Sequence, residues 1–312
     1  SERRNMISAQ LMGGLGNQIF IYAFCKTLAH RTDQNVLLYF DSEDGRELQI
    51  NKFKIDSRIT IVKAPFLSKM ESVPKEYVIW RKIIEHLPKG KLQNGVIRVA
   101  NGFGVVFVPE GYSELNYKAL KKCENIIVNG FFQCEKYFEE LSDAIKRDFM
   151  LENIIDSEYL KKIMNKSLQV QENNSVCVHI RRGDFLKDEY KNRFLVCDEK
   201  YYKEAMEYIE KKIDGVTFYI FSDSIEWVKE KFDWLKHYNT IYVNNGGELA
   251  VLEDFVMMKA CNHFVMSNST LSWWAQYLCE NERKIVVAPS KWLNTGYDNA
   301  DIYQVGWHLI SV

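Results

Sequence analysis

Between residues 175 and 288 the chain alternates five short apolar runs with four longer amphipathic stretches, and that regularity leaves few folds open. The apolar runs lie at 175–182, 216–223, 240–243, 263–267 and 284–288, and the stretches between them, at 199–213, 224–232, 248–260 and 271–280, carry helical periodicity. Strict alternation of strand and helix predicts a parallel, doubly wound sheet with helices on both faces. In such sheets ligands bind beyond the C-terminal strand ends. The polar clusters fall at those ends: His179 to Asp184, Ser222-Asp223-Ser224, and Ser267-Asn268-Ser269-Thr270.

The first cluster carries the most chemistry. Val176, Val178 and Ile180 alternate as in a buried strand, and Arg181, Arg182, Gly183 and Asp184 follow, with Gly183 read as the turn. A guanidinium grips phosphate oxygens bidentately and does not lose its charge, so adjacent arginines suit an anionic ligand. A surface ion pair with Asp184 is the plainer reading. The third cluster leads into a helix beginning Leu271-Ser272-Trp273-Trp274. Hydroxyls and free backbone N–H groups at a helix start make a natural phosphate seat, against the alternative of an ordinary Ser/Thr cap. Asp223 either accepts hydrogen bonds from the N1–H and N2 amine of a guanine or caps the helix after it. Two arginines, a hydroxyl-rich helix start and a strand-end aspartate together point to a nucleoside diphosphate.

The opening of the chain reads as a second β-loop-α-β unit. Ile7 to Met12 is a strand, Gly13 to Gln18 a tight glycine loop, Ile19 to His30 a helix apolar nearly all round, and Val36 to Phe40 a strand. A dinucleotide fingerprint needs a third glycine where Ile19 stands, so a nucleotide-dependent oxidoreductase is an alternative, not the leading reading. Gly14 allows a substrate close to the backbone. Asn17 either caps the helix or bonds a sugar hydroxyl. From Asp41 to about Gly104 the pattern loosens, apart from a helix around Pro74 to His86. Tyr77, Trp80, Phe103 and Phe107 are more readily core than a sugar-stacking platform. Asn125 to Val128 is a strand, Asn129 to Gln133 a strand-end loop, Tyr137 to Phe149 an amphipathic helix and Ser157 to Leu168 another. The polar break at Gln171 to Asn174 places the boundary between an acceptor-side domain, 1–172, and a nucleotide-sugar-binding domain, 173–312.

Composition excludes several classes. A net charge of -1 argues against broad nucleic-acid binding, which needs many phosphate-neutralising cations. Seven cysteines without a Cys-x-x-Cys pair indicate neither a zinc ribbon nor a disulfide framework, and fit a reducing cytoplasm. No run approaches the roughly 18 apolar residues of a membrane span, which leaves room for a peripheral contact with the inner face of a membrane.

Three segments taken together resemble the α-1,2-fucosyltransferases of glycosyltransferase family 11. They are Gly13-Gly14-Leu15-Gly16-Asn17-Gln18-Ile19-Phe20, His179-Ile180-Arg181-Arg182-Gly183-Asp184, and Ser267-Asn268-Ser269-Thr270-Leu271-Ser272-Trp273-Trp274. The resemblance implies a GT-B fold of two Rossmann-like, doubly wound domains facing a cleft. It implies GDP-β-L-fucose as donor and inverting transfer to the 2-hydroxyl of a galactose on an oligosaccharide or glycolipid. It also implies no metal and no other cofactor, in keeping with the lack of any Asp-x-Asp. Carried over by residue, Arg181 meets the departing β-phosphate, and Arg182 holds the loop or a second oxygen. His179 and Asp223 contact guanine, Asn268, Ser269 and Thr270 cradle phosphates, and Gly14 and Asn17 lie against the fucose or the acceptor. Inverting displacement benefits from a base for the acceptor hydroxyl; Asp184 is the first candidate and Glu189 the second. Residues 42 to 170 match nothing in the resemblance, so the acceptor is not implied. A non-catalytic sugar- or nucleotide-binding module is the third reading, and it has no need of Arg181.

Overall fold

The computed structural model describes residues 5–41, 45–64, 74–171, 174–183, 186, 192–194, 196–247, 249–294 and 300–312; both candidate bases, Asp184 and Glu189, lie outside them. The chain divides into two compact units, Ser1–Asn153 and Ile154–Val312.

Among the described residues of the first unit, five strands form one sheet: β1 (Met6–Leu11), β2 (Asn35–Phe40), β3 (Ile59–Lys63), β4 (Val105–Val108) and β5 (Asn125–Gly130). Their order is β3-β2-β1-β5-β4 and every pairing is parallel. Helices α1 (Leu15–Thr32), α2 (Lys75–Glu85), α3 (Lys91–Ala100), the single turn α4 (Tyr117–Leu120) and α5 (Ser142–Asp148) complete the unit. The chain steps outward from β1 to β3, then returns to the other side of β1. The switch point of the sheet is therefore between β1 and β5, where such sheets place ligands.

The first helix, α1, sits at the centre because it is apolar on every side, and 15 of its 18 residues are buried. Each large apolar side chain fully buried there contributes about 1.5–3 kcal/mol. Its one buried cation, Lys26, places Nζ 2.5 Å from Asp148 Oδ2 and 3.5 Å from Asp56 Oδ2, and the Tyr22 hydroxyl donates to Asp148 at 2.7 Å. These contacts tie α1 to α5 and to the loop before β3.

Two local expectations fail here. The glycine loop is shorter than Gly13 to Gln18, since α1 begins at Leu15. The reason is Gln18, a fully buried amide inside the helix. Its Nε2 donates to the carbonyls of Gly13 and Glu47, and its Oε1 accepts from the N–H groups of Gln49 and Ile50. The stretch from Tyr137 to Phe149 is not one helix. Two 3-10 turns, Glu135–Tyr137 and Glu139–Leu141, precede the short α5, and they meet at Phe138, whose φ of -140° and ψ of 9° lie outside the helical region.

Among the described residues of the second unit, six strands form a parallel sheet: β6 (Ser175–Ile180), β7 (Thr217–Ser222), β8 (Thr240–Tyr242), β9 (His263–Val265), β10 (Val286–Pro289) and β11 (His308–Ile310). Their order is β11-β10-β9-β6-β7-β8, so the switch point lies between β6 and β9. Helices α6 (Ser157–Gln171), α7 (Glu199–Glu210), α8 (Ile225–Lys231), α9 (Ala250–Ala260) and α10 (Thr270–Tyr277) accompany them. The five expected strands and four expected helices are present, with β11 added at the edge.

The boundary differs from the expected 172/173, because α6 belongs to the second unit. Its amphipathic face buries Tyr159, Ile163 and Val170. Lys166 Nζ pairs with Glu253 of α9 at 2.9 Å, and the Tyr159 hydroxyl reaches the Leu249 carbonyl at 3.5 Å. Among the described residues no helix is long and apolar enough to cross a membrane.

Candidate active site

The C-terminal ends of β6, β7 and β9 bring the three polar clusters of the second unit together. Arg181 leaves β6 and turns to Asp223, which follows β7; its guanidinium lies 2.9 Å from Asp223 Oδ2, with both side chains about a quarter exposed. The other oxygen of Asp223 accepts the backbone N–H of Arg182 at 3.0 Å. An added Cβ on Gly183 would sit 2.5 Å from Asp223 Oδ2. Gly183 lies in a turn, as read from the sequence, but its φ is not positive, and the close approach of the Asp223 carboxylate is what favours a residue without a side chain there. Three consecutive residues wrap around one aspartate.

That arrangement bears on two sequence assignments. Asp223 does not cap the next helix: Ser224 holds the cap position of α8, with no side-chain cap bond. Both carboxylate oxygens of Asp223 already serve the arginine loop. Arg182 sends its guanidinium over the Trp227 ring of α8, 3.4 Å from the centroid, so its side chain braces the loop while Arg181 stays over the strand ends.

His179 lies one residue before the end of β6 and is buried. Its Nδ1 is 3.1 Å from the Ser267 hydroxyl, beyond β9, so the hydrogen bond spans the switch point. Burial, and then the charge of Arg181, push its pKa down to about 4 against the pull of Asp223. The imidazole is therefore neutral near pH 7. In the third cluster, Ser269 is the N-cap of α10 and accepts from Leu271 N at 3.3 Å, while buried Asn268 donates to the Trp292 carbonyl at 2.8 Å. These two side chains hold the loop in shape. Thr270 is the first helical residue and half-buried, so its hydroxyl and the free N–H groups of the first turn are what this end offers a ligand.

In the first unit the strand ends at the switch point hold Asn17 and the glycine pair. Gly13 has φ +72°, the left-handed region that favours glycine, whereas Gly14 has φ -75° and caps α1. Asn17 is consequently the third residue of the helix and not its cap. A Cβ on Gly14 would meet nothing within 4 Å, so there is room over the backbone at that point. Gln133, just after β5, donates to Asn17 Oδ1 at 2.9 Å.

Sequence reasoning missed Ser267 as the partner of His179, Trp227 as the support of Arg182, and Gln18 and Gln133 in the first unit. For Ser267 a signal exists, since it opens a cluster already singled out. The others act through contacts 45 or more residues away, or through backbone groups of other loops, and have no local signature.

The model of the family described as glycosyl transferase family 11 matches residues 6–311. The chain belongs to glycosyl transferase family 11. This family 11 chain is therefore a glycosyltransferase. It is 30% identical over 316 residues to the O-antigen biosynthesis glycosyltransferase WbnK of Escherichia coli, covering 95% of this chain and 98% of that protein. It is 28% identical over 303 residues to an alpha-1,2-colitosyltransferase of Escherichia coli, covering 92% of each. Human galactoside alpha-(1,2)-fucosyltransferase 1 is 28% identical over 178 residues, which is 55% of this chain and 46% of that protein. The fold is similar to the alpha-1,6-fucosyltransferase NodZ in a crystal soaked with GDP-fucose, with a TM-score of 0.51 at 13% identity over 88% of this chain and 92% of that one. The family 11 match displaces both the oxidoreductase and the non-catalytic readings.

Proposed function

We propose that this family 11 chain transfers L-fucose from GDP-β-L-fucose to the 2-hydroxyl of a galactose, with inversion at the anomeric carbon. The observation that carries the reading is Arg181, held by Asp223 at the C-terminal end of β6, the strand whose other neighbour, β9, leads into α10. In the displacement the acceptor oxygen bonds to C1 as the bond from C1 to the β-phosphate oxygen breaks. Both electrons of that bond leave with GDP, and the hydroxyl proton passes to a base. Charge grows on the β-phosphate, where a fixed guanidinium and a helix N-terminus stabilise it most. In the tautomer in which Ser267 donates to Nδ1, neutral His179 keeps its proton on Nε2, where it can be donated to the nucleotide. We assign the carboxamide of Asn17 to a sugar hydroxyl, and the role of base to Asp184, then Glu189.

The same arrangement supports turnover without a divalent cation. Asp223 already answers to Arg181 and the Arg182 amide, and a hard cation would need carboxylate oxygens of its own. Initial rates are expected to survive excess EDTA; abolition by EDTA with full rescue by one metal would overturn this. The free state of all seven cysteines supports a cytoplasmic setting.

The deciding experiment is incubation with GDP-fucose and a panel of galactosides (lacto-N-biose, N-acetyllactosamine, lactose and an O-antigen galactose), followed by mass and linkage analysis. Arg181→Lys keeps the charge and loses the fork, and is expected to lower kcat by about 10²- to 10³-fold while leaving the melting temperature in place. Near-normal turnover in that variant would remove Arg181 from the leaving-group role. A second donor is favoured by one relative, the α-1,2-colitosyltransferase. Colitose is the 3-deoxy counterpart of L-fucose. A site that hydrogen-bonds the 3-hydroxyl rejects a sugar lacking it by several orders of magnitude, whereas an apolar site barely discriminates. Parallel assays with GDP-fucose and GDP-colitose separate the two.

A further inference from the structure

At the switch point of the first sheet, Gln133 makes a contact for which neither strand pairing nor core packing accounts. Its Nε2 donates to Asn17 Oδ1 at 2.9 Å. The nitrogen of the same carboxamide lies close to Gly13, where an added Cβ would come within 2.5 Å of Asn17 Nδ2. The amide of Asn17 thus has its oxygen held by Gln133 and its nitrogen in the space that Gly13 leaves by lacking a side chain, near the open backbone at Gly14.

The backbone that delivers Gln133 is unusual. Phe132 has φ +52°, a left-handed conformation disfavoured for any residue with a Cβ. Its buried ring stacks flat on Phe24 of α1, with centroids 3.8 Å apart and planes at 11°, and Tyr137 stands edge-on beside both rings, 5.3 Å from Phe24 and 5.4 Å from Phe132. Asn17 and Phe24 are seven residues apart, two turns along one side of the helix. The left-handed residue thus lets consecutive side chains, Phe132 and Gln133, reach two points on one face of α1. Such a conformation persists only where the surroundings over-determine it.

We propose that Gln133 is a positioning residue that fixes the amide of Asn17, so that Nδ2–H and not the carbonyl is presented to a sugar oxygen. The stacked, left-handed Phe132 is the anchor that holds Gln133 in place. The inference rests on the reading that Asn17 contacts a sugar.

Kinetics and a turnover-independent probe test it on the full chain, with GDP-fucose and the best galactoside of the panel. Gln133→Leu keeps the bulk and removes the donor. It is expected to lower kcat about 10- to 100-fold, the usual cost of losing the partner that orients a ligand-contacting group, with an unchanged melting temperature. Asn17→Ala should lose at least as much, and adding Gln133→Leu to it should cost nothing more. In Gln133→Glu the protonated carboxyl can still donate to Asn17 Oδ1, while the ionised form can only accept and draws Nδ2 round instead. Its activity relative to the wild type should therefore fall about tenfold between pH 5 and pH 8, where a purely structural role leaves that ratio flat. The assigned side-chain NH2 resonances of Asn17 should shift in Gln133→Leu whether or not turnover is observed. Wild-type kcat in Gln133→Leu, fully multiplicative losses in the double variant, or unmoved Asn17 resonances would overturn the proposal. Full activity in Asn17→Ala would overturn the sugar-contact reading itself, and the inference with it.

Discussion

Asp223 shows how much one residue can organise at this site. It receives the Arg181 guanidinium and the Arg182 amide, and its position leaves no room for a side chain on Gly183. Gly183→Ala is expected to push the carboxylate aside, destabilise the second unit by about 1–3 kcal/mol and reduce kcat at least tenfold, because Arg181 loses its rest. Thermal unfolding and kcat measured together check this, and a variant unchanged in both would remove Gly183 from the arginine loop. His179 makes a second prediction at the same scale. Its folded pKa of about 4 lies below the ordinary histidine value of 6.5, so the unfolded chain takes up the proton first as pH falls. The stability that depends on a neutral His179 is complete above pH 6.5 and is lost progressively toward pH 4, to the extent of about 3 kcal/mol. Urea midpoints at these two pH values should differ less in His179→Gln than in the wild type; an equal difference would mean that other groups set the acid response.

Among the elements, α6 and α9 show why a boundary read from polarity went astray. Gln171 ends α6 and Asn174 precedes β6, while α6 packs on α9 and shares its charges: Lys166 bridges Glu253 and Asn245, and Asn245 donates to Asp254 at 2.8 Å. Burial first, with help from Glu253, raises the Asp254 carboxyl to about 6, against the Asn245 hydrogen bond and Lys166. A carboxyl whose folded pKa exceeds its unfolded value contributes most at low pH, and that contribution fades as pH rises through 6. Asp254→Asn, which still offers Asn245 an acceptor, is expected to stabilise the protein by about 2 kcal/mol at pH 8 and to change little at pH 4. Chemical denaturation at the two pH values tests this, and a loss of stability at pH 8 would show that the carboxylate is needed as an anion between the helices.

At the scale of the whole molecule, two units with separate cores can unfold in separable steps, and a ligand shifts the step of the unit that binds it. The proposed nucleotide site lies wholly on strand ends of the second unit. GDP at a hundredfold excess over its Kd is expected to add about 2.7 kcal/mol there and to raise that transition by about 5–10 °C, with no shift from NAD or NADP. Calorimetric scans with each nucleotide check the prediction. A comparable shift with NAD, or none with GDP, would sink the nucleotide assignment.

The sequence by itself determined the class of fold, because strands and helices that alternate with distinct periodicities can pack only as parallel layers. It also determined where the polar clusters lie: all three sit at strand ends because apolar runs must stop where the sheet meets water. Tertiary structure decided what each polar residue touches there. Asn268 and Ser269 turned out to secure a loop, Arg182 to lie on Trp227, and Gly183 to make way for Asp223, since each contact joins segments brought together only by the order of strands in the sheet. The same holds for Gln18, whose polarity reads locally as loop, yet whose amide is fully paired at the heart of the first unit with backbone groups about 30 residues away. Burial makes such pairing obligatory, and which partners meet the need depends on the fold as a whole.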